Sequence, residues 1–220
     1  MKRILLFLSL GICISLAFAV TPVTAETLSF EFMGGDAYNF PTPLTVHQSG
    51  YPDIQFSANY DTEPFGPYTP YYAWRLSLWN GPEAWELEQV HHRLFLSNPP
   101  PEIQYFAIHF GYNYFLVGHA WRNGDFIFHL GIGPIIANPS NIVRGQDFQA
   151  ASSGWLDQGY ELAGVGAQVA FSRDFYYLPN AFIVVDVGLM GALASVPVAN
   201  GSADVPNLSL HGHLGLGFSL

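Results

Sequence analysis

The stretch Ala84 to Arg93 reads A-W-E-L-E-Q-V-H-H-R, placing two carboxylates, two imidazoles and a guanidinium within ten residues. Glu with His suits either general acid–base work or ligation of a divalent metal such as iron or zinc. Strand alternation sets Glu86, Glu88 and His92 on one face. It sets Trp85, Leu87 and His91 on the other, unless a bulge between Gln89 and Arg93 turns His91 around. His109 lies in the next segment. A hairpin centred on the proline-rich link Ser97–Glu102 is expected to bring Glu88 or Val90 opposite His109, gathering Glu88, His92 and His109 into one region. The same residues have a plainer use. A polar interior satisfies its own groups through Glu–His–Arg networks without any catalysis. Arg75 is expected to balance Glu86 or Glu88. His129, His211, His213 and Asp186 read as hydrogen-bonded lining. No spacing marks a Ser-His-acid hydrolase, and there is no Gly-rich phosphate loop.

These residues need strands to position them. Eight segments alternate apolar with small or polar residues at period two. The first, Thr27–Gly34, has Leu28, Phe30 and Phe32 outward and Ser29 and Glu31 inward. Gly35–Thr69 follows as a long insertion, inside which Leu44–His47 and Ile54–Tyr60 alternate well enough for a small hairpin. The others are Pro70–Trp79, Ala84–Phe95, Ile103–Ala120, Asp125–Ile136, Gly159–Phe171, Asn180–Gly191 and Asn207–Leu220. Asn80-Gly81-Pro82 and Arg122-Asn123-Gly124 are tight turns, whereas Asn138–Trp155 and Ala192–Pro206 read as loops. Short and long connections alternate, as in outer-membrane barrels. The predicted fold is all-β: an eight-stranded antiparallel, transmembrane, up-and-down β-barrel, too narrow for the conducting pore of a porin. Trp79, Trp85, Trp121 and Phe218 gather near the short-turn end, as an interfacial aromatic belt would. A secreted β-sandwich would have to bury both the Phe/Leu faces and the Gly/His faces.

Composition agrees with that reading. The chain opens M-K-R, runs apolar from Ile4 to Val20 and continues T-P-V-T-A, the form of a signal peptide over residues 1–25. The barrel is then residues 26–220, with residues 35–69 as an extracellular insertion. Its only cysteine, Cys13, falls within the signal, so no disulfide is available. The whole chain carries −10, and the mature part keeps five Arg, no Lys and all 17 acids. That excludes nucleic acid as a partner, because such binding needs a basic surface. Half of the residues are hydrophobic, yet no second apolar run is long enough for a spanning helix.

Three stretches resemble the small outer-membrane barrels of the lipid A oxidase-like group. They are Glu63-Pro-Phe-Gly-Pro-Tyr-Thr-Pro-Tyr-Tyr-Ala-Trp-Arg75, Trp85–Arg93 with its Glu-x-x-His element, and Phe110-Gly-Tyr-Asn113. The chain departs from the group at Val90-His-His-Arg93, where Thr-His-Asn-Lys is common. The resemblance implies an eight-stranded barrel in the bacterial outer membrane and oxidation of the proximal glucosamine of lipid A. It matches Glu88, His91 and Asn113 to the group's functional positions, to which local geometry adds His92 and His109. An oxidase would call for an oxygen-activating metal, iron for example, on His and carboxylate ligands, or for an intrinsic redox group. The expected partners are outer-membrane lipid and lipopolysaccharide, and the barrel-assembly machinery through the C-terminal strand. The expected state is a monomer. The alternative is a non-enzymatic envelope or adhesin-type barrel that binds partners through its loops.

Overall fold

A computed structural model describes residues 27–65, 70–149 and 159–220 of the chain. The signal peptide read over residues 1–25 lies outside them. The described residues contain fourteen strands and no helix. They are β1 (Thr27–Asn39), β2 (Thr42–Gln48), β3 (Ile54–Ala58), β4 (Tyr60–Asp61), β5 (Tyr72–Asn80), β6 (Glu83–Leu96) and β7 (Ile103–Asn123), then β8 (Phe126–Ala137), β9 (Ser140–Val143), β10 (Gln146–Gln149), β11 (Glu161–Leu178), β12 (Ala181–Val198), β13 (Gly201–Asp204) and β14 (Asn207–Ser219).

Eight of them form a closed antiparallel ring in the order β1, β5, β6, β7, β8, β11, β12, β14. The ring closes between β14 and β1, from Ser29 opposite Ser219 to Asn39 opposite Ser209. Closure pairs backbone groups that an open sheet would leave bare in lipid. The alternation read from sequence is kept strand by strand. Phe30, Phe32, Leu87, Ile132, Val187 and Leu214 are exposed, while Ser29, Glu31, Glu88, His129, Asp186 and His213 are buried. An apolar outer belt around a polar lining is a surface built for lipid.

The interior has three tiers. At the short-turn end Trp79, expected in the interfacial aromatic belt, instead turns inward and packs with Ala84, Ala120 and Ile127 into an apolar plug. Above it sits a polar layer centred on Arg75, which is fully buried. Its guanidinium donates to Glu31 at 3.1 Å, to both oxygens of Glu88 at 3.2 Å and to Asp186 at 3.0 Å. Gln168 also donates to Glu88. Arg75 thus balances Glu88, as expected, together with two further carboxylates. The top tier is an apolar core that includes Leu44, Val46, Ile54, Ile108, Val196 and Val198.

That top core lies under a cap made by the long connections. The hairpin predicted inside the insertion is present as β2 paired with β3, and β13 extends it on the other side. Asp53, in the β2–β3 turn, accepts from His47 at 3.0 Å and raises its imidazole above the ordinary range. Three expectations are corrected here. Ala192–Pro206 is not a loop: β12 runs on to Val198 and returns as β13, because Ala194, Val196 and Val198 keep the inward apolar parity. The first part of Asn138–Trp155 is a β-hairpin, β9–β10, with β9 paired to the loop end of β7. Likewise β1 extends to Asn39, into the insertion predicted to start at Gly35.

Candidate functional site

The lipid-facing wall carries one polar cluster, built by three neighbouring strands. Tyr72 on β5 stands opposite His91 on β6, which stands opposite Asn113 on β7. Gln89 and His91 share the outward parity of the exposed Trp85 and Leu87. Polar groups on such a wall must satisfy one another, because lipid offers no partners. Gln89 Nε2 donates to Asn113 Oδ1 at 3.3 Å, and Asn113 Nδ2 donates to the Ile136 carbonyl at 3.2 Å. A carbonyl can only accept, so Ile136 fixes which end of the amide is nitrogen. Asn113 Oδ1 therefore faces His91 Nδ1 at 2.8 Å and receives its hydrogen. The neutral ring then keeps its lone pair on Nε2. That nitrogen is buried and has no protein partner.

The His91 ring stacks on Tyr72, centroids 5.0 Å apart and planes 11° from parallel. Tyr72, Trp74, Phe115, Ile136 and Tyr160 complete a groove of about 440 Å³ around Gln89, His91 and Asn113. Six residues of strand separate His91 from Trp85, about 20 Å of chain. At the usual barrel tilt that is some 15 Å of height, the upper half of a belt about 25 Å tall.

A bulge on β7 shapes the upper edge of this cluster. His92 opposes Tyr112, but Leu94 opposes Ile108, so His109, Phe110 and Gly111 together face Arg93 alone. Gly111 has φ +123°, and a Cβ there would fall on the Asn113 amide. Each displaced carbonyl finds a donor. Arg93 Nε donates to His109 O at 3.1 Å, the Tyr160 hydroxyl to Phe110 O at 3.2 Å, and Asn138 N to Gly111 O at 3.1 Å. The register also corrects an expectation: Glu88 lies opposite Leu116 and Val90 opposite Tyr114, not His109. The Leu94–Ile108 pairing centres the hairpin near Pro101, and the bulge adds two more residues on β7.

The wall divides the predicted set of site residues. His91 and Asn113 meet outside it. Glu88 lies inside, held by Arg75 and Gln168. His92 also lies inside, donating from Nε2 to Asn39 Oδ1 at 2.9 Å, with its ring against Tyr71 and His211. His109 sits in the bulge with its ring 4.2 Å from that of Phe110. Among the described residues no group of three or more His, Cys, Asp or Glu is arranged to hold a metal. Within the groove the described residues offer a single imidazole, His91, and Glu88 is across the sheet from it. The residues present therefore do not fit an iron or zinc centre on His and carboxylate ligands.

Sequence reasoning passed over Gln89, Tyr72 and Tyr160. Gln89 was legible from its shared parity with His91; the other two depend on register and loop path. It also missed a buried Ser-His-acid order inside the barrel. Ser172 donates to His129 Nε2 at 2.8 Å, and His129 Nδ1 donates to Glu86 at 2.8 Å. All three line the interior of the closed ring above the apolar plug, where they satisfy one another.

No family model matches the chain, and no curated protein matches it. Among solved structures it is similar to the outer membrane protein AlkL in DMPC lipid bilayers, at 11% identity and a TM-score of 0.50. That match covers 100% of this chain and 97% of AlkL. Ail, the attachment invasion locus protein of Yersinia pestis, matches at 12% identity and a TM-score of 0.38, over 89% of this chain and 97% of Ail. The outer membrane protease OmpT from Escherichia coli matches at 11% and 0.43, over 88% and 97%. At such identities likeness bears on fold alone, and the AlkL match carries it. The chain has an outer-membrane β-barrel fold. With its continuous apolar belt, that fold places the protein in the bacterial outer membrane.

Proposed function

We propose that this barrel binds and modifies lipid A from the side, in the groove on its outer wall. The observation that supports the reading is the unpartnered Nε2 of His91, a base aimed from the lipid-facing wall in the upper half of the belt. Asn113 is the positioning residue: by accepting from Nδ1 it keeps the lone pair on Nε2. Trp74 offers a flat face to a sugar ring beside Tyr72, which is itself stacked between His91 and Phe32, and His91 accepts a proton from a hydroxyl held there. The resemblance to the lipid A oxidase-like group adds the reaction class, oxidation of the proximal glucosamine, in which dissolved dioxygen takes up the two electrons and two protons that leave the sugar. On this reading the described residues contribute binding and the proton transfer.

The test is mass spectrometry of lipid A from cells with and without the protein, grown aerobically. A mass change that disappears in His91→Ala and falls at least tenfold in Asn113→Ala is the expected result. Unchanged lipid A with folded protein in the membrane would sink it. A second reading rests on the cap, whose strands β2, β3 and β13 form an ordered outward surface suited to a partner. It expects intact cells to bind that partner with or without His91.

A further inference from the structure

One hydrogen-bonded chain climbs the barrel interior into the base of the cap. It links Asp186, His213, Tyr71, His211, Ser209, Asn207 and Asn39, with successive distances of 2.8, 2.6, 2.5, 2.7, 2.8 and 2.9 Å. Its polarity can be fixed from the top. Asn39 Nδ2 lies 3.2 Å from the Tyr60 carbonyl and 3.1 Å from Thr62 Oγ1. The Thr62 hydrogen goes to the Ala37 carbonyl at 2.9 Å, so both of these oxygens accept from Asn39. The other end of the amide, Oδ1, therefore faces Asn207, which must donate with Nδ2. That turns Asn207 Oδ1 toward Ser209, which gives its single hydrogen there.

The rest follows link by link. Ser209 has no second hydrogen, so His211 Nε2 donates to it. A neutral His211 then has its lone pair on Nδ1 and takes the Tyr71 hydroxyl hydrogen. Tyr71 in turn must accept from His213 Nε2. His213 Nδ1 still faces Asp186 Oδ1, which accepts. The five links from Asp186 to Asn207 need five hydrogens, whereas neutral His213, Tyr71, His211 and Ser209 bring four between them. Asp186 does not bring the fifth, because the Arg75 guanidinium, 3.0 Å from its other oxygen, favours the ionised carboxylate.

We propose that the fifth hydrogen is a proton on His213, a buried imidazolium held between Asp186 and Tyr71, and that it ties the foot of the cap to the barrel. The groups around it suit a second cation. Asp186 on β12 faces it directly, with Arg75 on β5 behind that carboxylate. Glu31 and Asp36 on β1, Glu88 and His92 on β6, Tyr114 on β7, His129 on β8 and His211 on its own strand act on the same cluster. Glu31, Glu88 and Asp186 all bond to Arg75, so one guanidinium serves three carboxyl groups. Tyr71 and Asn39 border the insertion at its two ends. Without that proton, one of the five links must open and the cap loses part of its footing.

The direct test is magnetic resonance of nitrogen-labelled histidine in the full barrel, reconstituted in phospholipid bilayers. At pH 7 both ring nitrogens of His213 are expected to carry hydrogen, while His211 and His92 carry theirs on Nε2 alone. A bare nitrogen on His213 at that pH overturns the proposal. Hydrogen exchange then reads the coupling. Corrected for intrinsic rate, β2 and β3 are expected to lose protection about fivefold, the weight of one net hydrogen bond, where His213 loses its second hydrogen. Protection that stays level across that change overturns the tie to the cap. Tyr71→Phe, where it folds, removes the pH step altogether; a step that persists in it likewise counts against the tie.

Discussion

A buried charge is tolerated only when its neighbours are all in place, and Arg75 is the residue on which the barrel interior turns. Its hydrogen bonds reach three carboxylates carried by β1, β6 and β12, three strands around the ring. Arg75→Met removes the cation and leaves Glu31, Glu88 and Asp186 facing one another. Breaking a buried pair from one side costs about 3–5 kcal/mol. Urea unfolding in bilayers is expected to show a loss of that size, and a loss under 1 kcal/mol would mean that water or protons already neutralise the cluster. Glu88→Gln is expected to act the same way, through folding, because Glu88 is walled off from the outer groove. At this scale much was readable from the chain. Parity alone placed Glu86, Glu88, Arg75 and Asp186 inside. It could not show the tautomer of His91, which depends on a carbonyl of Ile136 two strands away from it in the sheet.

At the scale of elements, the strands were legible because period-two alternation is a local signal that survives without knowing the neighbours. Register was not, because it is set jointly by loop geometry and by bulges. The bulge at His109–Gly111 is the instructive case. It moves every later β7 residue by two places relative to β6 and so takes Asn113 to His91. A glycine at φ +123° was its only trace in the sequence, and Phe110-Gly-Tyr-Asn113 reads as an ordinary strand without it. Gly111→Ala is expected to cost about 1–3 kcal/mol of strain and to push the Asn113 amide off His91. Under the proposed function, lipid A modification should then fall as far as in Asn113→Ala while the barrel still inserts. Full activity in folded Gly111→Ala would mean that the Asn113–His91 contact is not needed. The loop-end extensions, β9 to β10 and β12 to β13, were misread for a related reason: turn-forming residues there signal hairpins as readily as coils.

The whole molecule consists of a barrel held by lipid and a cap held by its own core. The strands of the ring cannot open in the bilayer without exposing unpaired backbone, which costs several kcal/mol for each group. The cap has no such constraint. Its strands are short, and its stability comes from apolar contacts under β2 and β3, where Leu44 and Val46 are fully buried. Leu44→Ala removes a large part of that packing, at about 2–5 kcal/mol for a site that cannot collapse. The barrel beneath retains its Arg75 layer and its closed ring. Local opening of the cap is therefore expected ahead of any global unfolding. Limited proteolysis of the variant in bilayers should cut within residues 40–58 several-fold faster than the parent protein. The compact, heat-modifiable band on a gel should persist for the undigested fraction. Equal protease resistance would show that the cap draws its stability from elsewhere, and loss of the compact band together with the cap would show one cooperative unit. The second outcome would also bear on function. A cap that cannot open without unfolding the barrel leaves the outer wall, with its groove at His91, as the route by which lipid reaches a polar group of this protein.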